Sequence, residues 1–266
     1  RRHFRWMREY GIDGAFVQRF AVETRGPRNL NHVNTVLTHC RAAANQEGRA
    51  YAVMYDLSGL GEGEMKQVID DWKQLVDRFR VGRDPRDRAY LQHRGKPLVA
   101  VWGIGFNDRR RYTTEECLEL VRFLKDDQQY GGMTVMVGVP TGWRTLDRDA
   151  LPAPLLHDVA RAADVISPWT VGRYNSVEAV ERHATRVLQP DLAWCREAGK
   201  DYLPVMFPGF SWHNLRPQSP LGEIPRLQGR FLWAQYRQAK LAGASMFYQA
   251  MFDEMDEGTA IFKCTD

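Results

Sequence analysis

At 266 residues, 44% of them hydrophobic, the chain is long enough to bury one large core. Its 37 basic and 33 acidic side chains leave a net charge of only +4. No Lys/Arg block stands beside a stacking platform, and no apolar run approaches the roughly 20 residues of a membrane helix, so neither nucleic acid nor a membrane is expected as a partner.

The chain opens with "RRHFRWMREYG", an amphipathic helix with Phe4, Met7 and Trp6 turned inward and Gly11 as its stop. Seven strand-like apolar runs follow, at 12–20, 50–57, 97–106, 133–139, 164–171, 202–210 and 244–252. Helical patterns separate them near 31–47, 64–80, 114–126, 155–163, 176–199 and 224–242. "TTEE" at 113–116 has the form of a capping box, with Thr113 as the cap and Glu116 reaching back. Continuous apolar strands separated by helices predict a parallel sheet covered on its outer face.

Seven strands with a helix ahead of the first predict an α/β fold, the (β/α)8 TIM barrel, whose first strand would precede Arg1. A Rossmann-type sheet is the alternative, but no GxGxxG follows any strand. The abrupt ends, Arg1 and "KCTD", read as those of a fragment, so residues 1–266 are expected to be one catalytic barrel domain trimmed at both ends. Cys40, Cys117, Cys195 and Cys264 lie far apart without CxxC or metal-ligand spacing, and free buried thiols are expected, three of them in helices.

In such barrels the chemistry sits at the C-terminal ends of the strands. The residues found there are Gln18 and Arg19, Tyr55 and Asp56, Trp102 with Asn107 and Asp108, and Thr141 with Trp143 and Arg144. The later strands add Trp169, Arg173 and Tyr174, then Trp212, His213 and Asn214, then Glu254 and Glu257. Four of the chain's eight tryptophans fall in this set, mixed with Asn, Asp, Arg and Glu. That mixture suits a sugar, whose C–H faces lie on aromatic rings while its hydroxyls need donors and acceptors around them. Aromatics packing loops over the barrel top would give the same composition.

The last run leads into "FDEMDEGTAIF", with four acids in five positions, 253 to 257. Glycoside cleavage needs a proton donor and a nucleophile or base, usually two carboxyl groups. Glu254 and Glu257 would face opposite ways on a continuing strand, whereas a turn helped by Gly258 would bring them together. Proximity of the two carboxylates would also raise one of their pKa values, as a catalytic acid requires. A solvated acidic loop is the plainer alternative. Other chemistries have less support. His3, His32, His39, His157 and His183 fall in or beside helices, His93 lies in a loop, and only His213 stands at a strand end. No His-x-His pair, GxSxG elbow or phosphate-binding glycine loop occurs, so neither metal nor cofactor is expected.

These motifs together resemble glycoside hydrolase family 99, the endo-α-mannosidase and endo-α-mannanase family, and more closely its 71/99-like relatives, sometimes labelled xylosidase or arabinosidase. The resemblance rests on "HFRWMREYGIDGAFVQRF", "YAVMYDLSGL", "VAVWGIGFND", "GVPTGWR", "ISPWTVGRY", "FPGFSWHN" and "AMFDEMDEGTAIFK", which span most of the chain. "IPRLQGRFLWAQ", holding Arg226 and Trp233, is similar to the region after the family's seventh strand, and the resemblance implies Arg226 as a sugar-binding residue. The family implies a (β/α)8 barrel and retaining hydrolysis through a 1,2-anhydro sugar, without a covalent enzyme intermediate. Carried over, Glu254 is the base on the sugar's 2-hydroxyl and Glu257 the acid/base. It also implies secretion or a periplasmic location. Asp253, Met255 and Asp256 stand where the endomannosidase pattern FNEWHEGT has Asn, Trp and His, making the field here more negative. A carbohydrate-binding barrel without catalysis, or a barrel lyase, are the competing readings.

Overall fold

A computed structural model describes residues 1–263 of the chain. It divides into two compact units, Arg1–Val165 and a second beginning at Ile166.

The first unit opens with helix α1 (Arg2–Glu9), whose Phe4 and Met7 are buried, and Gly11 follows in the left-handed region at φ 71°. Strand β1 (Gly14–Phe20) leads through a single 3-10 turn into α2 (Pro27–Glu47). Pro27 starts that helix, where its missing N–H costs nothing, and Gly48 ends it at φ 63°. Strand β2 (Ala50–Asp56) is buried at every residue after the first, as a strand covered on both faces must be. Helix α3 (Lys66–Phe79) follows.

A short hairpin of β3 (Gln92–His93) on β4 (Lys96–Trp102) comes next, turned by Arg94 and Gly95, both at positive φ. His93, expected in a loop, therefore lies in a strand. Helix α4 (Thr114–Asp126) carries the expected capping box: Thr113 Oγ1 accepts from the Glu116 N–H and the Glu116 carboxylate accepts from the Thr113 N–H. Strand β5 (Thr134–Val139) and helix α5 (Leu155–Ala162) complete the unit's alternation. Strands β1, β2, β4 and β5 pair parallel in that order. The core beneath the helices holds Trp72, Leu75, Leu120, Leu124 and Val137, all under 2% exposed.

In the second unit, β6 (Val165–Pro168) precedes α6 (Val177–His183), a π turn (184–188) and α7 (Gln189–Glu197). One helix was expected over 176–199; Pro190 cannot donate to the carbonyl four residues back, and the ladder widens just before it. The expected run 202–210 is reduced to β7 (Asp201–Tyr202) and β8 (Val205–Met206), and β8 pairs parallel with β9 (Tyr248–Gln249). Pro204 and Pro208 lack ladder donors, and Gln235 of α8 (Arg230–Leu241) takes the place of a neighbouring strand. Its Oε1 accepts from the Phe207 N–H at 3.0 Å and its Nε2 donates to the Phe207 carbonyl at 2.8 Å. Phe207 and Phe231, both fully buried, pack with Tyr174, Val180, Val205 and Ala250. Cys117 and Cys195 are buried free thiols, Cys40 is half-buried, and Cys264 lies outside the described residues.

Candidate active site

Strand register decides which side of the first unit's sheet each rim residue takes. Phe20, Asp56, Trp102 and Gly138 lie in one row across β1, β2, β4 and β5, and Gln18, Met54, Ala100 and Met136 in the next. These share a face, because side chains alternate along a strand and paired residues point alike. Arg19, Tyr55, Val101 and Val137 occupy the opposite face. That face is covered by helices: Arg19 Nε and Nη2 donate to Asp71 of α3 at 2.7 and 2.5 Å, and Nη2 also donates to Asn34 of α2. The Tyr55 hydroxyl donates to the same carboxylate at 2.5 Å. Burial first, and the Asp71 charge second, push the Tyr55 phenol well above its usual range.

Four residues expected to contact a sugar therefore belong to the core instead. Arg19 is 3% and Tyr55 0% exposed, both committed to Asp71. Trp143 is 0% exposed. Tyr174 is buried in the second unit, its hydroxyl donating to Gln235 at 3.0 Å between the rings of Phe207 and His183. Burial leaves none of these a face for a ligand, although Arg19 Nη1 is itself buried without a hydrogen-bond partner.

Gln18 and Asp56 stay on the side away from the helices. Gln18 Nε2 donates to Asp56 Oδ2 at 2.8 Å, and the Ser58 N–H donates to Oδ1 at 2.8 Å, so the buried carboxylate is held at a fixed angle. Half-buried Trp102 lies over Gly138, where a Cβ would stand 2.4 Å from its Cδ1. The Arg110 guanidinium covers both Trp102 and Phe106 at 5.0 Å. Asp108, Ser58 and Tyr112 hold that guanidinium in turn. Arg110 was not among the expected site residues; the Asp-x-Arg spacing inside "NDRRRY" was the available signal. Asn107 is exposed, its N–H donating to the Asp149 carbonyl at 2.9 Å, while the Asp149 carboxylate receives the N–H groups of Thr141 and Gly142. Arg144 is half-buried, its carbonyl 3.0 Å from His157 Nε2.

In the second unit the acidic segment is a closed loop. The Ile261 and Phe262 N–H groups both return to the Phe252 carbonyl at 3.0 Å. Inside it the chain turns over 254–258: the Asp256 N–H donates to Glu254 Oε1 at 2.8 Å, and the Gly258 N–H to the Met255 carbonyl. Gly258 has φ 67°, a conformation a side chain would strain. The turn expected after Glu254 is thus present. Burial first, then the charges of Glu254 and Asp256, raise the Glu257 carboxyl above its ordinary value. Both glutamates are half-buried, unlike the exposed Asp253, Met255 and Asp256 beside them.

A second loop grips this one. The Ser211 N–H donates to the Glu257 carbonyl at 2.9 Å, Asn214 Nδ2 to the Met255 carbonyl at 2.6 Å, and Arg226 Nη2 to the Gly258 and Ala260 carbonyls at 2.8 and 2.7 Å. Asn214 and Arg226, both expected to touch sugar, are here bound to the backbone that carries the acids. Trp212 sits half-buried, its backbone N–H donating to the Glu223 carboxylate at 3.0 Å and its ring edge-on to Phe210 and under Arg216. His213 Nδ1 lies 2.8 Å from the Ser219 carbonyl. Trp169 is half-buried and edge-on to Tyr248, and Arg173 is exposed. Among the described residues, no group of three or more His, Cys, Asp or Glu side chains is arranged to hold a metal ion.

No family model and no curated protein matches the chain by sequence. Solved structures do resemble it. The GH99 endo-alpha-mannosidase from Bacteroides thetaiotaomicron aligns with a TM-score of 0.69 at 15% identity, over 97% of this chain and 68% of that one. The same enzyme in complex with BIS-TRIS propane gives 0.68 at 15% identity, over 97% and 71%. A glycoside hydrolase-like protein gives 0.66 at 13% identity, over 98% and 77%. Likeness at this level of identity establishes architecture: the chain has the β/α fold of these (β/α)8-barrel structures.

Proposed function

We propose that the chain is a retaining glycoside hydrolase acting on an α-linked oligo- or polysaccharide, with Glu254 and Glu257 as its catalytic pair. The observation that carries this reading is the built turn at 254–258, in which two half-buried glutamates interact and the proton affinity of one is raised. A solvated acidic loop would have neither burial nor a grip from Ser211, Asn214 and Arg226. The likeness to structures named as glycoside hydrolases adds support and makes α-mannan the first polymer to try.

In this proposal Glu254 takes the proton of the sugar's 2-hydroxyl as that oxygen attacks the anomeric carbon. Glu257, protonated at rest, gives its proton to the departing glycosidic oxygen, and the anhydro sugar forms. Water then opens the ring at the anomeric carbon, losing its proton to Glu257, while Glu254 returns a proton to the 2-oxygen. Two inversions give net retention, and both carboxyl groups end as they began. Trp169, Arg173, Trp212 and His213, which belong to the same unit as the acidic loop, are the groups we assign to the sugar.

Incubation with α-mannan, xylan and arabinan oligosaccharides, followed by product analysis, tests the reading. Wild type should cleave at least one of them. Glu254→Gln and Glu257→Gln should each reduce kcat by about 10²–10⁴-fold without changing the circular dichroism spectrum. Undiminished cleavage by both variants would remove the two residues from the mechanism. Binding without products from wild type would favour a carbohydrate-binding module.

A further inference from the structure

Helix α8 has two faces. Phe231, Gln235 and Ala239 lie on the buried one, and Arg230, Trp233, Arg237, Lys240 and Leu241 form the outer stripe. Trp233 is 70% and Leu241 67% exposed. The other seven tryptophans are buried or half-buried. Isolated surface apolar residues are ordinary, but here the indole is spaced three, four and seven residues from cations on one face. The helix contains no acid. Among the described residues, Arg237 and Lys240 make no ion pair, although α6 packs alongside with exposed Glu178 and Glu181.

We infer that this stripe is a second carbohydrate-binding surface, distinct in its residues from the acidic loop, which takes a polymer whose sugar rings carry carboxylate or sulfate groups. The inference rests on the glycosidase reading for the polymer's chemical class. The indole supplies a flat apolar face for a ring's C–H bonds. Arg237 presents a planar fork that matches carboxylate or sulfate oxygens, Arg230 offers the guanidinium nitrogens left beside its Nε bond to the Leu227 carbonyl at 3.3 Å, and Lys240 adds a point charge. Over twelve residues the stripe runs roughly 16 Å, so a chain of rings rather than one sugar would lie along it. An anionic membrane is the less fitting occupant: interfacial helices sink a broad apolar face, and the apolar face of α8 is already in the core.

Affinity electrophoresis of the full chain tests this, run as the Glu254→Gln/Glu257→Gln form so that nothing is cleaved. The gels contain polygalacturonate, dextran sulfate or neutral dextran. The expected result is retardation by an anionic polymer, abolished at about 0.5 M salt, with little retardation by neutral dextran. Polygalacturonate alone would point to carboxylates and dextran sulfate alone to sulfates. Trp233→Ala and Arg237→Glu/Lys240→Glu should each weaken binding about five- to tenfold with unchanged melting curves. Equal retardation of wild type and both variants overturns the proposal. So does a Trp233-dependent dimer in sedimentation, or binding to phosphatidylglycerol vesicles without binding to either anionic polymer. If wild type cleaves a soluble glycan while the stripe variants bind normally, this inference fails and the glycosidase reading stands. If no glycan is cleaved but the stripe binds as expected, the reverse holds.

Discussion

Replacing Arg19 with methionine separates a structural role from a substrate-binding one. The substitution removes two hydrogen bonds to Asp71, at 2.7 and 2.5 Å, and one to Asn34 at 2.8 Å. Asp71, itself 3% exposed, would keep only the Tyr55 hydroxyl. Water cannot reach the stranded carboxylate, so the loss should be that of a broken buried pair, about 3–5 kcal/mol. For a chain of this size that lowers the melting midpoint by roughly 6–20 °C. Arg19→Met/Asp71→Leu removes both charges and should be less destabilised than Arg19→Met alone. Tyr55→Phe, which deletes one hydrogen bond to a charged group, should cost about 1.5–3 kcal/mol. Urea melts of the four proteins give the values, and activity of the folded fraction gives the control. If Arg19→Met melts like wild type while activity is lost, the guanidinium faces substrate and the assignment to the core is wrong.

The remaining predictions concern the acidic loop. The folded carboxyl of Glu257 has a raised proton affinity, so as a catalytic acid it stays protonated to higher pH than an ordinary glutamate. The basic limb of kcat/KM should lie above the usual carboxylate range, and Asp256→Asn, which removes one of the charges responsible, should move it to lower pH while cleavage continues. An unmoved limb would mean that another group titrates. By the same sign, Glu257 contributes most stability below its unfolded value, about 4.3, and that contribution is lost as pH rises through the higher folded one. Glu257→Gln should therefore melt higher than wild type at neutral pH, with the gap closing in acid. Arg226→Ala frees the Gly258 and Ala260 carbonyls and should lower kcat by about 10–100-fold with KM nearly constant, because a loosened loop misplaces the acids. Arg226→Lys should recover part of the loss, and a change confined to KM would return Arg226 to direct sugar contact.

Local chemistry was legible residue by residue. The cap at Thr113 and Glu116, the burial of Phe4 and Met7, the four long strands and the turn at Gly258 all follow from neighbours within a few positions. The α/β alternation followed as well, since apolar runs of strand length separated by helical periods have few other packings. What the sequence did not reveal was parity. Gln18 and Arg19 are adjacent and both polar, and an apolar parallel strand carries no alternation to say which faces the helices. Asp71, 52 positions beyond Arg19, decides it. Trp143 and Tyr174 lie in the loops after β5 and β6, where local sequence does not say whether an aromatic is buried, and Gln235 replaced a strand partner that composition could not anticipate. Sequence by itself determined the α/β alternation, the four long strands and the presence of an acidic turn; tertiary structure decided which polar groups are spent on the core and which remain for a ligand, because a buried charge goes where its partner is, and that partner is distant in the chain.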